Sequence, residues 1–252
     1  MLSLQDYIYA PPAHIRAKKK SEELLRKTQV AQPAIGAVSL GMIKILKRFG
    51  IHPDAACGHS FGELCALFAA GWIDEDTLLD LAVDRGYFMA QAGEKSGDCG
   101  SMLAVQAGLD TIDSLIKSEK LDLVLANRNS PSQGVLSGPT EEILRAKAIC
   151  KDKKIRAVQL PVAAAFHSRL VEDAAKPFSK SILKKDVSPT RVKVWSNTTG
   201  KSYPKSKNEA KKLLANQLAN PVCFIENIKG MADDGVTLFI EAGPKTVLTG
   251  LV

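Results

Sequence analysis

The sequence is poor in the features that mark disulfide-rich, zinc-binding and nucleic-acid-binding proteins. Its 252 residues include five cysteines, an odd number without a C-x-x-C pair, which argues against a disulfide framework and a structural zinc site. Aromatic residues make up only 6%, and none lies within the short basic clusters at 18–20, 151–154 and 211–212. Such clusters are typical of a solvated surface, so we expect no bound metal and no nucleic-acid partner.

Long apolar runs are also missing. No run approaches the roughly 18 residues that span a bilayer, and the N-terminal basic cluster follows the apolar residues, which is not the order of a secretory signal. Hydrophobic residues (45%) and charged residues (24%) lie in the range of ordinary globular proteins. We therefore expect a cytoplasmic protein of one or two domains without membrane contact. Its net charge of +7 favours anionic partners.

The spacing of apolar residues predicts alternating helices and strands. A helix beginning at Thr28 and ending at Gly50 precedes a strand at 55–58, a helix from Ser60 and a helix at 76–92. From residue 101 the predicted order is strand, helix, strand, strand, helix, strand, with bounds 102–105, 110–117, 121–126, 134–137, 140–150 and 155–160. This βαββαβ order is typical of a ferredoxin-like unit. Alternation then resumes, with a strand at 192–195, a helix at 209–218 and a last strand at 236–240, so we interpret the unit as an insertion.

The stretch Gly58-His59-Ser60-Phe61-Gly62 matches G-x-S-x-G between a predicted strand and a predicted helix, which is the context of a nucleophile elbow. Glycines two residues before and after Ser60 allow the sharp turn that brings its Oγ to a helix N-terminus, where developing negative charge is favoured. The backbone N–H of Phe61 then becomes an oxyanion donor. The alternative interpretation is that Ser60 only caps the helix.

A serine nucleophile needs a base within hydrogen-bond reach, and the sequence contains four histidines. His59 is adjacent to Ser60, so its side chain is expected to project away into a packing or supporting role. His14 and His52 are interpreted as surface residues. His167 follows the point where the inserted unit returns to the larger domain, a seam where clefts form, and it is the candidate base, with a structural histidine as the alternative.

Further short blocks stand along residues 28–252 in a fixed order: Gln32-Pro33-Ala34, Arg85-Gly86, Ala126-Asn127 with Asn129-Ser130-Pro131, Ala165-Phe166-His167-Ser168, Gln217 with Asn220-Pro221-Val222, and Glu241-Ala242-Gly243-Pro244. In these blocks and in the elbow, extended by Glu63, the chain resembles the malonyl-CoA:acyl-carrier-protein transacylases and the acyltransferase domains of polyketide and polyunsaturated fatty acid synthases. By that resemblance Ser60 is the acylated nucleophile, His167 is the base, and Arg85 binds the free carboxylate of a dicarboxylic acyl group. A guanidinium suits bidentate carboxylate binding.

The resemblance implies further site residues and a fold. Asn127 and Gln217 look like positions that line the site, with the backbone carbonyl of Gln217 orienting His167. Phe166 resembles the variant associated with malonyl rather than methylmalonyl selection, although the position two before it, usually histidine in that variant, is Ala164. The predicted fold class is α/β: an α/β hydrolase-like large domain at 1–99 and 164–252, with a ferredoxin-like small subdomain at 100–163.

The reaction implied by the resemblance moves a malonyl group from CoA through an ester of Ser60 to the phosphopantetheine thiol of an acyl carrier protein, without a permanently bound cofactor. Neighbouring domains of a larger synthase are further expected partners. Two alternatives stay open. One is a serine esterase or thioesterase, which would have no buried cation facing the acyl group. The other is a truncated, non-catalytic synthase module, suggested because no strand with a Gly-Gln-Gly turn precedes Thr28.

Overall fold

The structure is a computed structural model, and it describes residues 4–8, 22–95, 98–162, 164–168 and 171–252. His14, expected at the surface, lies outside these ranges, whereas His52 is exposed. Helices are combined with a parallel sheet and an antiparallel sheet. The mixed α/β class predicted from the sequence is therefore confirmed.

The elements follow one another along the chain as a helical layer, an antiparallel unit and a second run of helices. Strands β1 and β6 pair in parallel, with Ala56 opposite Val194. The main core lies around this pair, with buried residues from α2, α3, α4 and α7. The bounds are α1 (Leu4–Ile8), α2 (Thr28–Arg48), β1 (Ala55–Ala56), α3 (Gly62–Ala69), α4 (Glu75–Lys95), β2 (Ser101–Gln106), α5 (Leu109–Ser118), β3 (Val124–Ser130), β4 (Gln133–Gly138), α6 (Thr140–Asp152), β5 (Arg156–Gln159), α7 (Glu172–Lys184), β6 (Lys193–Val194), α8 (Lys207–Ala215), a 3₁₀ turn (Gln217–Ala219) and α9 (Phe224–Asp233).

Helix α2 corrects one expectation from composition. Among the described residues it is the helix that is long and apolar enough to cross a membrane, by length and composition alone. Its buried face nevertheless includes the polar side chains of Gln32 and Ser39, and it packs along α4. An added Cβ at Gly36 would lie 3.2 Å from the Phe61 ring, so the helix approaches the elbow closely. In this structure α2 is a core helix that contributes to the site.

The antiparallel sheet has the strand order β3-β4-β2-β5, and α5 and α6 are the helices that connect its strands. Its own core includes the fully buried side chains of Leu103, Leu136 and Ile143. Because β3 lies at the edge of this sheet, its residue Asn127 can form a parallel bridge with Val222. The two parts of the chain therefore meet along β3.

The strand predicted at 236–240 is not formed. These residues pair with no strand of the described chain, and the backbone hydrogen bond made there runs from Val236 N to Met231 O at 3.0 Å. Leu238 is 74% exposed, and the segment borders a cavity of about 1150 Å³ that α2 and β1 also line. A strand requires a neighbour for its backbone groups. The apolar pattern alone was therefore misleading here.

Three other predicted bounds shift. Strand β1 ends at Ala56 rather than at residue 58, because the Gly58 carbonyl accepts a hydrogen bond from Asn197 Nδ2 at 2.6 Å. Strand β3 lies at 124–130 rather than 121–126, because it pairs with β4 across a tight turn. The helix predicted at 209–218 ends at Ala215 and a 3₁₀ turn follows. The last two shifts bring Asn127 into a strand and Gln217 into a turn.

Candidate active site

The elbow is a sharp turn between β1 and α3. An added Cβ at Gly58 would lie 2.0 Å from the Gly62 carbonyl oxygen, so only glycine fits at this close approach. Ser60 has φ 51°, a left-handed conformation that is strained for a serine. Its side chain makes no capping bond, because α3 begins only at Gly62. This geometry favours an exposed nucleophile over the capping alternative.

Ser60 and His167 form a hydrogen-bonded pair. Ser60 Oγ lies 2.8 Å from His167 Nε2, and His167 Nδ1 lies 2.9 Å from the Asn220 carbonyl oxygen. The carbonyl of Asn220 is thus hydrogen-bonded to the ring, and the carbonyl of Gln217, which the resemblance implied for this role, also acts on it. In the 3₁₀ turn the Gln217 carbonyl accepts from Asn220 N. With Nδ1–H donating, the neutral ring presents Nε2 to the serine as an acceptor.

The pKa of His167 is lowered to about 3 by burial first, and then by the charges of Arg85 and His59. The carbonyls of Asn220 and Gln217 act in the opposite direction. The imidazole is therefore neutral at physiological pH and can accept the Ser60 proton. The nearby charge of Arg85 is one of the causes that keep the basicity of His167 low.

Arg85 projects from α4 into the same site and is 2% exposed. Its Nη2 donates to Ser60 Oγ at 3.1 Å and to Gln217 Oε1 at 3.3 Å, and its Nη1 donates to Gln32 Oε1 at 3.0 Å. Its Nε is buried without a hydrogen-bond partner in the described chain. Burial lowers the pKa of Arg85 to about 10, although the charge of Glu63 raises it. A buried guanidinium with an unused donor, beside the serine, is suited to bind an anion.

Gln217 connects the elbow to a buried carboxylate. Its Nε2 donates to the Ser60 carbonyl at 2.6 Å and to Glu63 Oε2 at 3.0 Å. Glu63 is fully buried in the first turn of α3, where Oε1 also accepts from the Tyr203 hydroxyl and from Asn197 N. Burial raises the pKa of Glu63 to about 7, while these donors lower it. The side chain of Gln217, more than its carbonyl, is therefore the part that supports the elbow.

Asn197 is a site residue for which the motifs gave no signal. Its Oδ1 accepts from Ser60 N at 2.6 Å and its Nδ2 donates to the Gly58 carbonyl, so both ends of the turn are bound to one buried amide. It lies just after β6, beside the elbow that follows β1. Side chains that follow neighbouring parallel strands gather at one edge of a sheet. That rule, applied to the predicted strand at 192–195, could have identified it.

Phe61 and Phe166 flank the pair in different ways. The Phe61 ring is buried and faces Gly36 of α2. Its backbone N–H has no backbone acceptor among the described residues and is the group that Phe61 could offer to an oxyanion. Phe166 packs against the main core and against the small cluster on the antiparallel sheet, and its carbonyl accepts from Ser137 Oγ at 2.7 Å. Phe166 thus lies at the seam between the two parts of the chain.

The comparison with known sequences decides the family. The sequence profile described as Acyl transferase domain matches residues 2–252. The chain belongs to the acyl transferase domain family. The pair Ser60–His167, with Arg85 beside it, is the candidate centre of this acyl transferase domain.

The relatives of this domain include a synthase subunit and a transacylase. The chain is 34% identical over 247 residues to a polyunsaturated fatty acid synthase of Thraustochytrium sp., covering 97% of this chain and 9% of that protein. It is 36% identical over 235 residues to "Malonyl CoA-acyl carrier protein transacylase" of Bacillus subtilis, covering 91% of this chain and 73% of the relative. The chain thus spans less than a tenth of the length of the Thraustochytrium synthase polypeptide.

A solved structure gives the same result for the fold. The malonyl CoA-acyl carrier protein transacylase from Clostridium perfringens superposes with a TM-score of 0.87 at 32% identity, covering 99% of this chain and 76% of that one. This acyl transferase domain therefore has the fold of that transacylase.

The remaining residues predicted for the acyltransferase site lie further from Ser60. Asn127 contacts the elbow through His59: its Nδ2 is 3.5 Å from His59 Nε2, which also lies 2.7 Å from Asn129 Oδ1. The Oδ1 of Asn127 is buried without a partner among the described residues. His59 packs edge-on against Phe224. The supporting role expected for His59 therefore consists of joining the elbow to β3.

Other reactive groups near the acyltransferase site are protonated or far from it. Burial first, and then the charge of Glu63, raise the pKa of Cys57 to about 12, and burial raises that of Cys65 to about 11. Neither thiol is a thiolate at physiological pH. No cluster of three or more His, Cys, Asp or Glu that could hold a metal ion occurs in the part of the chain that the structure describes. The cavity of about 1150 Å³ lies behind the elbow and is not lined by Ser60, Arg85 or His167.

Proposed function

We propose that the chain transfers a malonyl group from CoA, through an ester on Ser60, to the phosphopantetheine thiol of an acyl carrier protein. The observation that carries this proposal is the position of one hydroxyl between a base and a cation. Ser60 Oγ is 2.8 Å from His167 Nε2 and 3.1 Å from Arg85 Nη2. The names of the Bacillus subtilis and Clostridium perfringens relatives, both malonyl CoA-acyl carrier protein transacylases, support it.

The first half-reaction forms the ester. His167 Nε2 takes the proton from Ser60 Oγ as the oxygen attacks the thioester carbonyl, and the N–H of Phe61 donates to the oxyanion that develops. The C–S bond then breaks, and the leaving CoA sulfur receives the proton from His167. In the second half-reaction the carrier thiol gives its proton to His167 and attacks the ester carbonyl, and Ser60 leaves with that proton.

Arg85 accounts for the choice of a dicarboxylic acyl group. Charge-assisted hydrogen bonds to a carboxylate are stronger than neutral ones, and Arg85 has an unused buried Nε–H. A carboxylate on Arg85 also removes one of the causes that lower the pKa of His167, so the base becomes stronger when the correct substrate is bound. A neutral acyl group places no anion beside Arg85 and His167, so the base stays weak.

The partners follow from the same proposal. Malonyl-CoA is a substrate and phosphopantetheine belongs to the carrier protein, so no resident cofactor is needed. We expect a cytoplasmic enzyme, with neighbouring synthase domains as further partners. We also propose that residues 100–163 form a ferredoxin-like subdomain inserted in an α/β hydrolase-like domain at 1–99 and 164–252. The strand order β3-β4-β2-β5 supports this division.

Intact-mass spectrometry after mixing with malonyl-CoA tests the proposal. One malonyl adduct is expected in the wild type, and it should be lost in Ser60→Ala but kept in Cys57→Ala and Cys65→Ala, whose thiols are protonated. Faster turnover of neutral p-nitrophenyl esters than of malonyl-CoA would support the esterase alternative. No adduct on a folded protein would support the non-catalytic module.

A further inference from the structure

Glu63 and Arg85 form a buried pair of opposite charges that the proposed steps do not use. Glu63 is fully buried and Arg85 is 2% exposed, and among the residues whose side-chain burial the structure describes no other Asp, Glu, Lys or Arg is buried. Gln217 lies between them, accepting from Arg85 Nη2 at 3.3 Å and donating to Glu63 Oε2 at 3.0 Å. Glu63 is therefore the buried carboxylate that balances Arg85 when the site holds no substrate.

A substrate carboxylate changes this balance. Buried charges are costly unless they are paired, and one guanidinium cannot pair two carboxylates in a site with little water. If the malonyl carboxylate binds Arg85, the buried cluster has one anion in excess. Neutralising Glu63 with a proton removes that excess without moving the backbone.

We propose that Glu63 is the resting counter-charge of Arg85 and takes up one proton from solvent when an acyl carboxylate occupies Arg85. This inference rests on the proposed function, since it assumes that Arg85 binds the carboxylate of the acyl group. Glu63 acts through Gln217 and does not touch the substrate, so it is a positioning residue whose ionisation sets the affinity for the dicarboxylic group.

The surroundings of Glu63 fit both protonation states. The donors from Tyr203, Gln217 and Asn197 suit the carboxylate, and the Tyr203 hydroxyl can rotate to accept from the protonated acid. The pKa of Glu63, raised by burial to about 7, means that a modest electrostatic change is sufficient to protonate it near neutral pH.

Apart from His59, the described groups that face the pair have pKa values far from the range between pH 6 and pH 8. The pKa of Arg85 is about 10, that of Cys57 about 12, that of Tyr203 well above 10, and that of His167 about 3. The pKa of His59 is lowered from 6.5, first by burial. From α2, Lys47 reaches only Phe68, near the far end of α3.

The affinity for malonyl-CoA must then depend on pH. Because the complex prefers protonated Glu63, the KM for malonyl-CoA is expected to rise between pH 6 and pH 8, by about threefold to tenfold for a shift of up to one pKa unit. Acetyl-CoA carries the same CoA phosphates but no acyl carboxylate. Its KM should stay flat, so it serves as the matched substrate.

The experiment measures KM for both substrates from pH 6 to pH 8 in the wild type, Glu63→Gln and Glu226→Gln. Glu63→Gln also turns the Gln217 amide, which lowers kcat, so the informative quantity is the pH dependence of KM. We expect the rise for malonyl-CoA in the wild type and in Glu226→Gln, which alters a carboxylate bound to Arg128 elsewhere. We expect no rise in Glu63→Gln.

In parallel, an indicator dye should report about half a proton taken up per site at pH 7 on malonylation, and none with acetyl-CoA.

Tyr203→Phe keeps the test valid if Glu63→Gln does not fold. Removing the phenol removes a donor that lowers the pKa of Glu63, so the rise in KM should move to higher pH. A malonyl-CoA KM that does not change with pH in the wild type, or a rise that persists in folded Glu63→Gln, overturns the counter-charge role. Loss of the proposed function looks different, because malonyl-CoA is then not transferred at all or Arg85→Ala leaves the substrate preference unchanged.

Discussion

Arg85 Nη2 lies 3.1 Å from Ser60 Oγ, so the cation donates to the nucleophile itself. On the proposed function the acyl group binds beside this guanidinium, and its carboxylate has to attract at least one of the donors of Arg85 away from the serine. A neutral acyl group offers no acceptor for that exchange. The contact therefore makes the freedom of the Ser60 hydroxyl to react depend on whether the acyl group carries a carboxylate.

Replacing Arg85 with Ala tests this link through substrate preference. The kcat/KM for malonyl-CoA should fall by about 10²–10⁴, because two charged hydrogen bonds contribute roughly 1.5–3 kcal/mol each. Transfer from acetyl-CoA should hold or rise, because an acetyl group has no carboxylate contact to lose and the Ser60 Oγ is no longer bound by the guanidinium. Arg128→Ala, which removes an ion pair with Glu226, is the control and should change both substrates alike. An equal proportional loss for both substrates in Arg85→Ala would make Arg85 a structural residue only.

The position of Phe166 at the seam predicts a weaker preference, for malonyl-CoA over methylmalonyl-CoA. Phe166→Ser should increase kcat/KM for methylmalonyl-CoA relative to malonyl-CoA, by no more than about 10–200-fold, since one methyl group in an apolar pocket contributes about 1–3 kcal/mol. Val162→Ala, an exposed change in the same segment, should leave the ratio unchanged. If the ratio in Phe166→Ser stays at the wild-type value, Phe166 does not contact the methyl group.

Asn197→Ala should destabilise the protein and slow malonylation, although Asn197 is far from the elbow in sequence. It leaves Ser60 N and the Gly58 carbonyl without their partner, which costs on the order of 2–4 kcal/mol of unfolding free energy. Malonylation should slow as well, because Ser60 loses a backbone contact that supports its strained φ. Chemical denaturation and single-turnover kinetics measure the two effects. Thr199→Ala, an exposed change in the same turn, should stay within about 0.5 kcal/mol, and an equally mild Asn197→Ala would contradict the role.

The pKa of His167 predicts a loss of stability in acid. The unfolded histidine binds a proton below about pH 6.5, whereas the folded one resists protonation until about pH 3. The unfolded state therefore holds more protons in this window, and the free energy of unfolding falls by about 1.4 kcal/mol per pH unit as the pH decreases. Glu63 has the opposite slope between its unfolded and folded pKa values, so the measured quantity is the difference between wild type and His167→Gln. Urea denaturation at pH 6.5, 5.5 and 5 should show that the stability of the wild type relative to His167→Gln decreases as the pH is lowered. A difference that stays constant over this range would contradict the prediction.

Local pattern predicted the elements that carry the chemistry and missed the contacts that support them. The G-x-S-x-G spacing identified the elbow because its turn depends on glycines two residues from Ser60. The interactions with Asn197, Gln217 and Glu63 were not predictable in the same way, because they join residues that only the fold brings together. The prediction of a strand at 236–240 was wrong for the opposite reason. Its apolar pattern is present in the sequence, but the described chain supplies no neighbouring strand.

The hydrogen bonds of Asn197 have a consequence for protein engineering. The backbone of the five-residue elbow is bound by an amide 137 positions away from Ser60, on the loop after a different strand. A graft of residues 58–62 onto another strand-turn-helix would carry the strained serine without the group that stabilises it. A functional transplant of this nucleophile therefore needs two neighbouring parallel strands and the loop that follows each of them.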